Sequence, residues 1–475
     1  MTSFETVVGL EIHAELATRT KIFCSCTTAF GGDPNTHCCP VCTGMPGVLP
    51  VLNQRVVEYA VRAGSAMNCE IAHFSKLDRK NYFYPDLPKA YQISQYDLPL
   101  CKGGWVEISS GKRIGITRIH IEEDAGKLIH DNVARRTYVD LNRCGVPLIE
   151  IVSEPDMRSA DEVHEFIEKV RTILLYAGVS DCRMEEGSIR ADVNVSVRPF
   201  GQSAFGTRTE MKNINSMRAI FRAVEGEAKR QSELISAGGR VTQQTRRWDD
   251  NRGASKAMRG KEEANDYRYF PEPDIVPIRL DDARIDEIRA QLPELPDARK
   301  IRYAQLGIAP ADAQIITASR TLADYFEEAA RLSGNAKEAA KWIVGEMMRQ
   351  LKERSLEPEA IPFPASYLAQ VITLCETGRV TTANAKNLFS LLFESGEEPA
   401  ALVEKHGLAA LDDDDALDAA VEEAVSRNPK SVEDFLAGKE KSFGFLMGQC
   451  MRSLKGKADP AVLREKLTQR LEALK

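Results

Sequence analysis

Hydrophobic and polar positions change rhythm along the chain. Over residues 189–197, Ile-Arg-Ala-Asp-Val-Asn-Val-Ser-Val, the alternation is strict. Ile189, Ala191, Val193, Val195 and Val197 fall on one side, and Arg190, Asp192, Asn194 and Ser196 on the other. That pattern predicts a strand with one buried and one polar face. Just upstream the period lengthens: Val163, Phe166, Ile167, Val170, Ile173 and Leu174 recur at helical spacing, with Ser159 and Glu162 as a capping box ahead and Gly178 behind. These predict a helix whose apolar stripe enters the core. Strands and helices mix over roughly the first 290 residues without a regular βαβ rhythm, so the expected class is α+β with a largely antiparallel sheet. After Phe270-Pro-Glu-Pro-Asp-Ile-Val-Pro277 and Leu292-Pro-Glu-Leu-Pro296 the chain becomes rich in Ala, Glu, Leu and Lys, and helical to its end. Breaks at 355–364 and 399–415 divide that part, giving expected domains at 1–295, 296–408 and 409–475.

A chain of 475 residues, 43% of them hydrophobic, is long enough for several ordinary globular cores. No apolar run approaches the roughly 20 residues that span a bilayer. The opening Met1-Thr-Ser-Phe-Glu5 lacks a charged-then-apolar leader. Eleven cysteines scattered through such a length point to reduced thiols and metal ligation, not to a disulfide scaffold, so the cytoplasm is the expected location. The net charge of −7 argues against indiscriminate nucleic-acid binding. Yet residues 438–475 carry nine Lys/Arg against four Asp/Glu, behind the acidic run Asp412-Asp-Asp-Asp415. A basic tail behind an acidic body suits a phosphate backbone; a solvated surface helix is the competing reading.

Two cysteine hooks stand near the N-terminus, Cys24-Ser25-Cys26 and Cys39-Pro40-Val41-Cys42, separated by a turn at Gly31-Gly32-Asp33-Pro34. Four thiolates in hooks this short can converge on one tetrahedral Zn²⁺. Cys38 and His37 are alternative ligands beside Cys39, and a set of reduced buried thiols is the competing reading. Four sulfurs would leave no open position, so this zinc is structural, not catalytic.

A second constellation is acidic. Glu11 and His13 lie two apart in Val7-Val-Gly-Leu-Glu-Ile-His13 and share a face if the segment is a strand. Thr117-Arg-Ile-His-Ile-Glu-Glu-Asp124 ends in three carboxylates, Glu150 and Glu154 flank Ile-Val-Ser, and Asp192 and Asn194 project from the polar face described above. Several oxygen ligands with one imidazole suit Mg²⁺ or Mn²⁺. A third phrase, Leu77-Asp-Arg-Lys-Asn-Tyr-Phe-Tyr-Pro-Asp-Leu-Pro-Lys-Ala-Tyr-Gln92, interleaves cations with aromatics, and Tyr267-Arg-Tyr-Phe-Pro-Glu-Pro-Asp274 has the same character. Such stretches either stack on a base while holding phosphate or simply pack. There is no glycine phosphate loop, no G-x-G-x-x-G, no H-E-x-x-H and no G-x-S-x-G.

Six phrases, in order, resemble the GatB family, the B subunits of bacterial aspartyl/glutamyl-tRNA amidotransferase. They are Val7–His13, Asp78-Arg-Lys-Asn-Tyr-Phe-Tyr-Pro-Asp86, Ile114-Gly-Ile-Thr-Arg-Ile-His-Ile-Glu-Glu-Asp-Ala-Gly126, Asp140-Leu-Asn-Arg-Cys-Gly-Val-Pro-Leu-Ile-Glu150, Met184-Glu-Glu-Gly187 and Asp266-Tyr-Arg-Tyr-Phe-Pro-Glu-Pro-Asp274. Gly444-Phe-Leu-Met-Gly-Gln449 resembles the family's tail domain. The resemblance implies a cradle-shaped catalytic domain related to glutamine synthetase, then a helical domain and a tRNA-gripping tail. It implies ATP-dependent activation of the side-chain carboxylate on a misacylated tRNA, then amidation with ammonia from a partner A subunit, with a small C subunit completing a heterotrimer. It places Mg²⁺ on His13, Glu123 and Glu150 with Glu11 close by, and makes Glu11 and Asp192 candidates for a nucleotide-bound metal. Lys80, Arg118 and Lys212 are candidate phosphate or carboxylate contacts. By alternation Glu122 faces with Arg118, so the choice between Glu122 and Glu123 stays open. The chain offers no Ser-Ser-Lys amidase pattern of its own, so ammonia must arrive from outside it.

Overall fold

In a computed structural model of the chain, residues 3–131, 133–212, 214, 216–260, 267–410, 414–454 and 457–474 are described. Asp266 of the tyrosine-rich phrase, Asp412 and Asp413 of the acidic run, and Lys455 and Lys475 of the basic tail lie outside them. The chain divides into two compact units, Met1–Pro296 and Asp297–Lys475.

Five strands carry the first unit: β1 (Phe4–Glu15), β2 (Arg113–Glu123), β3 (Pro147–Ser153), β4 (Ile189–Pro199) and β5 (Thr209–Lys212). They lie side by side in the order β2-β3-β1-β4-β5, every neighbour antiparallel. Short strands extend the sheet at both edges, and the pairing of β5 with Gln244–Asp249 is parallel. The class is α+β, as the mixed rhythm predicts.

Alternation decides which face is which. Leu10 and Ile12 of β1, Ile119 and Ile121 of β2, Ile149 and Ile151 of β3, and Val193 and Val195 of β4 are all buried, in one core cluster with residues of three helices. Those helices are α1 (Gln54–Ala66), α2 (Ala160–Tyr176) and α3 (Met217–Ser236). Val163, Phe166, Ile167, Val170 and Leu174 of α2 are buried as their spacing predicts. Ser159 caps α2 by accepting the Glu162 N–H (3.2 Å). The returning half of the box departs from expectation: the Glu162 carboxylate accepts the N–H of Arg158 (2.7 Å), one residue earlier. Residues between the apolar ones, on the other face of the sheet, are polar, and that face carries the site.

The second unit is helical throughout its described residues. Trp342, Phe363, Phe389 and Phe393 form a chain of aromatic contacts, ring centroids 5.1–5.7 Å apart. Helices within 414–474 close around a separate core that includes Leu417, Val421, Leu446, Leu463 and Leu467. No helix among the described residues is long and apolar enough to cross a membrane.

Candidate active site

Register brings the acids together. His13 of β1 stands opposite Glu150 of β3, and Glu150 stands opposite His120 of β2. Three residues far apart in sequence therefore form one row across three strands. Glu122, two residues beyond His120, joins the row from the same face. His13 Nε2 lies 3.4 Å from Glu122 Oε1 and 3.5 Å from Glu150 Oε2, and His120 Nε2 lies 3.3 Å from Glu150 Oε2. Burial disfavours the ionised acids, but His120 and then His13 outweigh it and hold Glu150 and Glu122 below the usual carboxylate range. Burial likewise opposes charge on His13, yet Glu150, Glu122 and Asp192 together lift it from 6.5 to about 9. His120 Nδ1 is buried without a hydrogen-bond partner.

A second cluster adjoins the first along β1. Glu11 stands opposite Asp192 of β4, and Glu210 of β5 completes a set in which one oxygen from each carboxylate lies within 4.8 Å of the other two. The Lys212 ammonium bridges Asp192 (2.8 Å) and Glu210 (3.3 Å), and Asn194 donates to Glu11 (3.0 Å). Arg118 shares the face of His120 and Glu122, and its Nε is buried without a hydrogen-bond partner. Lys80 approaches from a small separate sheet; burial opposes its charge, but Glu122 and Glu150 among others keep its pKa above the ordinary lysine value.

Glu123 is elsewhere. It is buried on the opposite side of the strand end, 2.6 Å from the Lys89 ammonium, and accepts the Ile93 N–H (2.9 Å). Strand β2 runs through Glu123 without a break, so alternation turns that side chain away from His13 and Glu150. The expected set of His13, Glu123 and Glu150 is thus corrected: the donors that meet are His13, Glu122 and Glu150, within 4.8 Å of one another. Glu154 also lies apart, accepting from Thr117 Oγ1 (2.7 Å). His120 and Glu210 were not among the sequence candidates. His-Ile-Glu at 120–122 carries the same two-residue spacing as Glu11 and His13, which was the available signal for His120. Glu210 had none.

The donor chemistry fits divalent cations: two ionised carboxylates with imidazole in the first cluster, three carboxyl oxygens in the second. The four sulfurs of Cys24, Cys26, Cys39 and Cys42 also lie within 4.8 Å of one another, a donor set that suits zinc. Cys38 turns away to the carbonyl of Asn35 (3.1 Å), and His37 Nδ1 faces the carbonyl of Ala29 (3.1 Å). A hydrogen bond from Cys24, opposed by burial, and support from the Cys39 backbone and Lys21 pull the Cys42 thiol down to about 4. The hooks are stitched to the loop ahead of β3: Asn35 N donates to Asp140 (3.1 Å), and Asn142 donates to the Asp33 carbonyl (2.7 Å) and accepts from His37 N (2.8 Å). Asp140 and Asn142 thus serve the loop, while Glu150 of the same phrase faces the acid row.

A sheet whose polar face gathers two acid clusters, followed by a helical unit, defines a two-part α+β enzyme. Family comparison agrees with that division. The family described as "GatB/GatE catalytic domain" matches residues 6–286, and the one described as "GatB domain" matches residues 324–471. The B subunit of aspartyl/glutamyl-tRNA(Asn/Gln) amidotransferase from Caldicellulosiruptor saccharolyticus is 57% identical over 99% of this chain and 100% of its own length. Proteins of the same name from Ruminiclostridium cellulolyticum and Carboxydothermus hydrogenoformans are 56% and 52% identical, covering 98% and 100% of this chain and 97% and 100% of their own lengths. The chain belongs to the GatB family of tRNA-dependent amidotransferase B subunits, enzymes of the ligase type.

Proposed function

We infer that the chain activates and amidates an amino acid already esterified to tRNA. ATP phosphorylates the side-chain carboxylate of Glu-tRNA(Gln), Asp-tRNA(Asn) or both. Ammonia released from glutamine by an A subunit then attacks the acyl carbon, the bond to phosphate breaks, and Gln-tRNA(Gln) or Asn-tRNA(Asn) results. The observation that carries this reading is the pair of adjoining clusters, His13–Glu122–Glu150 and Glu11–Asp192–Glu210, on one face of one sheet. A carboxylate is a poor electrophile because oxide does not leave; phosphorylation supplies the leaving group. Mg²⁺ bound by these donors would neutralise the charge of the phosphates. His13, Glu122 and Glu150 would hold one ion and Glu11, Asp192 and Glu210 another. Lys212 flanks the second cluster as a cation for phosphate, and Arg118 and Lys80 flank the first.

The four cysteines would hold a structural Zn²⁺ that fixes the loop stitched to Asp140 and Asn142. The names of the relatives call for at least one further subunit; an A subunit and a small C subunit would complete a heterotrimer in the cytoplasm. Residues 409–475 would grip the tRNA. Lys466 and Arg470 there already pair with Asp418 (2.8 Å) and Glu422 (2.6 Å), which leaves phosphate contact to cations such as Lys441 and Arg464. The decisive experiment is Glu150→Ala in the reconstituted complex. Amidation of charged tRNA should fall by at least ~10³-fold, while glutamine hydrolysis by the partner persists. Amidation at a near wild-type rate would remove the acid row from the mechanism.

A further inference from the structure

Four tyrosines gather beside the acid row, and neither the metal clusters nor the core uses them. Tyr82 follows the strand Asp78–Asn81, Tyr96 follows Tyr91–Ser94, and Tyr267 and Tyr269 precede Phe270–Pro271; these three strands form one small sheet. The rings of Tyr96 and Tyr269 stack at 4.3 Å with planes 9° apart. Tyr267 stands edge-on to Tyr82 and to Tyr269, each at 6.0 Å. The Lys80 ammonium lies 5.0 Å from the Tyr267 ring centre and 5.9 Å from that of Tyr82.

The backbone holding these rings is constrained. Arg268, between the two tyrosines, has φ +44°, a left-handed conformation that side-chain-bearing residues avoid. Asn81 Nδ2 pins it there by donating to the carbonyls of Tyr267 (3.2 Å) and Arg268 (2.8 Å). The aromatic surface also opens outward: Tyr96 is 43% exposed, and Phe83 and Tyr84 beside Tyr82 are 84% and 51% exposed. Tyr82, Tyr267 and Tyr269 are partly covered, so the group keeps both a buried footing and an open edge. The group is also tied to β2, the strand that carries His120 and Glu122 into the acid row. Lys80 pairs in register with Gln92, whose side chain donates to the Glu123 carbonyl at the end of β2 (2.7 Å).

Aromatic faces with an ammonium beside them suit a nucleobase followed by a phosphate. The amidation reading locates that base. Only a handful of covalent bonds separate a glutamyl or aspartyl carboxyl carbon from the ester oxygen on the terminal ribose. A side chain reacting at the acid row therefore holds its terminal nucleoside within roughly 10 Å. We propose that Tyr82, Tyr96, Tyr267 and Tyr269, with Lys80, form the docking site for the unpaired terminal nucleoside of the aminoacyl-tRNA. The inference rests on the amidation reading for the identity of the RNA, and charge complementarity at Lys80 agrees with it.

The test is equilibrium binding of the full-length chain, with any co-purifying subunits, to intact tRNA and to the same tRNA lacking its terminal nucleotide. The wild type should prefer the intact RNA by ~10-fold or more. Tyr267→Ala should lose that preference while binding the truncated RNA as the wild type does, and Tyr267→Phe, which keeps the ring, should retain it. If Tyr267→Ala does not fold, wild-type binding to tRNA with an abasic terminal nucleoside replaces it and should match binding to the truncated RNA. A preference that survives Tyr267→Ala or the abasic end overturns the proposal. So does the absence of any preference in the wild type, or a raised KM for ATP in Tyr267→Ala, which would assign the rings to the base of ATP. The binding assay needs no turnover, so loss of the amidation reading with end discrimination intact would leave the docking site standing.

Discussion

Glu122 and Glu123 are neighbours in the chain that serve opposite sides of the sheet. Glu122 lies 3.4 Å from His13 in the acid row, while Glu123 is buried in an ion pair 2.6 Å from Lys89. The difference separates a proposed metal ligand from a structural charge, and the two are separable by experiment.

Glu122→Gln should weaken Mg²⁺ binding by ~10–100-fold, since it takes a charged oxygen donor out of the row. Glu123→Gln should leave Mg²⁺ affinity within about threefold but lower stability by ~3 kcal/mol, because it strands the Lys89 ammonium. Calorimetric titration with Mg²⁺ and thermal melting read the two effects. Equal losses of Mg²⁺ affinity in both variants would return Glu123 to the site.

Proton and metal should compete at His13. Its folded pKa of about 9 exceeds the ordinary 6.5, so the stabilisation it gives the metal-free protein is complete below pH 6.5 and is lost as pH rises through about 9. An imidazolium cannot ligate, so a cation must displace its proton. Mg²⁺ affinity should therefore climb by up to ~10-fold per pH unit between pH 7 and 9 and level off above. Proton release measured in two buffers would check it. His13→Gln should flatten the profile, and an unchanged slope in that variant would mean another group titrates.

How much of this could be read from the sequence depended on the range of the information required. The strand at Ile189–Pro199 and the helix Ala160–Tyr176 are written in local periodicity, and both formed with the expected faces inward. Glu11 and His13 could be placed on one face for the same reason. Glu122 against Glu123 could not be decided, because it turns on how far β2 continues and how it registers with β3. That register shifts at Val152 and Ser153, where an irregularity slips the ladder. Glu210 joins Glu11 and Asp192 through a four-residue strand whose partner no local pattern names. The Glu162 carboxylate reaching Arg158 in place of Ser159 is a smaller instance: the cap residues were legible, the side chain's choice of N–H was not.

The thiol cluster should depend on a buried lysine. Lys21 is fully buried, its ammonium 3.7 Å from Cys42 Sγ and 3.4 Å from the Leu141 carbonyl. Four thiolates around Zn²⁺ carry a net charge of −2, and Lys21 offsets half of it inside a low-dielectric shell. Cys42→Ser should abolish the single bound zinc measured by metal analysis, whereas Cys38→Ser should keep it. Lys21→Met should weaken zinc retention against a chelator by ~10-fold or more. Zinc retained in Cys42→Ser would show that Cys38 or His37 replaces it.

A carboxylate with no solvent-exposed surface should be a weak point of the first unit at low pH. Glu227 on α3 is fully buried and accepts from Thr209 (2.7 Å), Arg230 (2.6 and 2.9 Å), Gln231 (3.0 Å) and Ser255 (2.9 Å). It binds the helix to β5 and to the Ala254–Gly260 strand at the sheet edge. Burial favours the neutral acid, but the Arg230, Gln231 and Thr209 hydrogen bonds outweigh it and hold the Glu227 pKa below 4.5. A lowered folded pKa gives stability that is present above the unfolded value near 4.5 and lost as pH falls through the folded one. Glu227→Ala leaves Arg230 and three neutral donors without their acceptor, which should cost about 3–5 kcal/mol at pH 7. The gap between variant and wild type should narrow as denaturation is repeated at pH values below 4.5, because the wild type then loses the same charge. A gap that stays constant down to pH 3 would mean the cavity left by the side chain, not its ionisation, holds this edge of the sheet together.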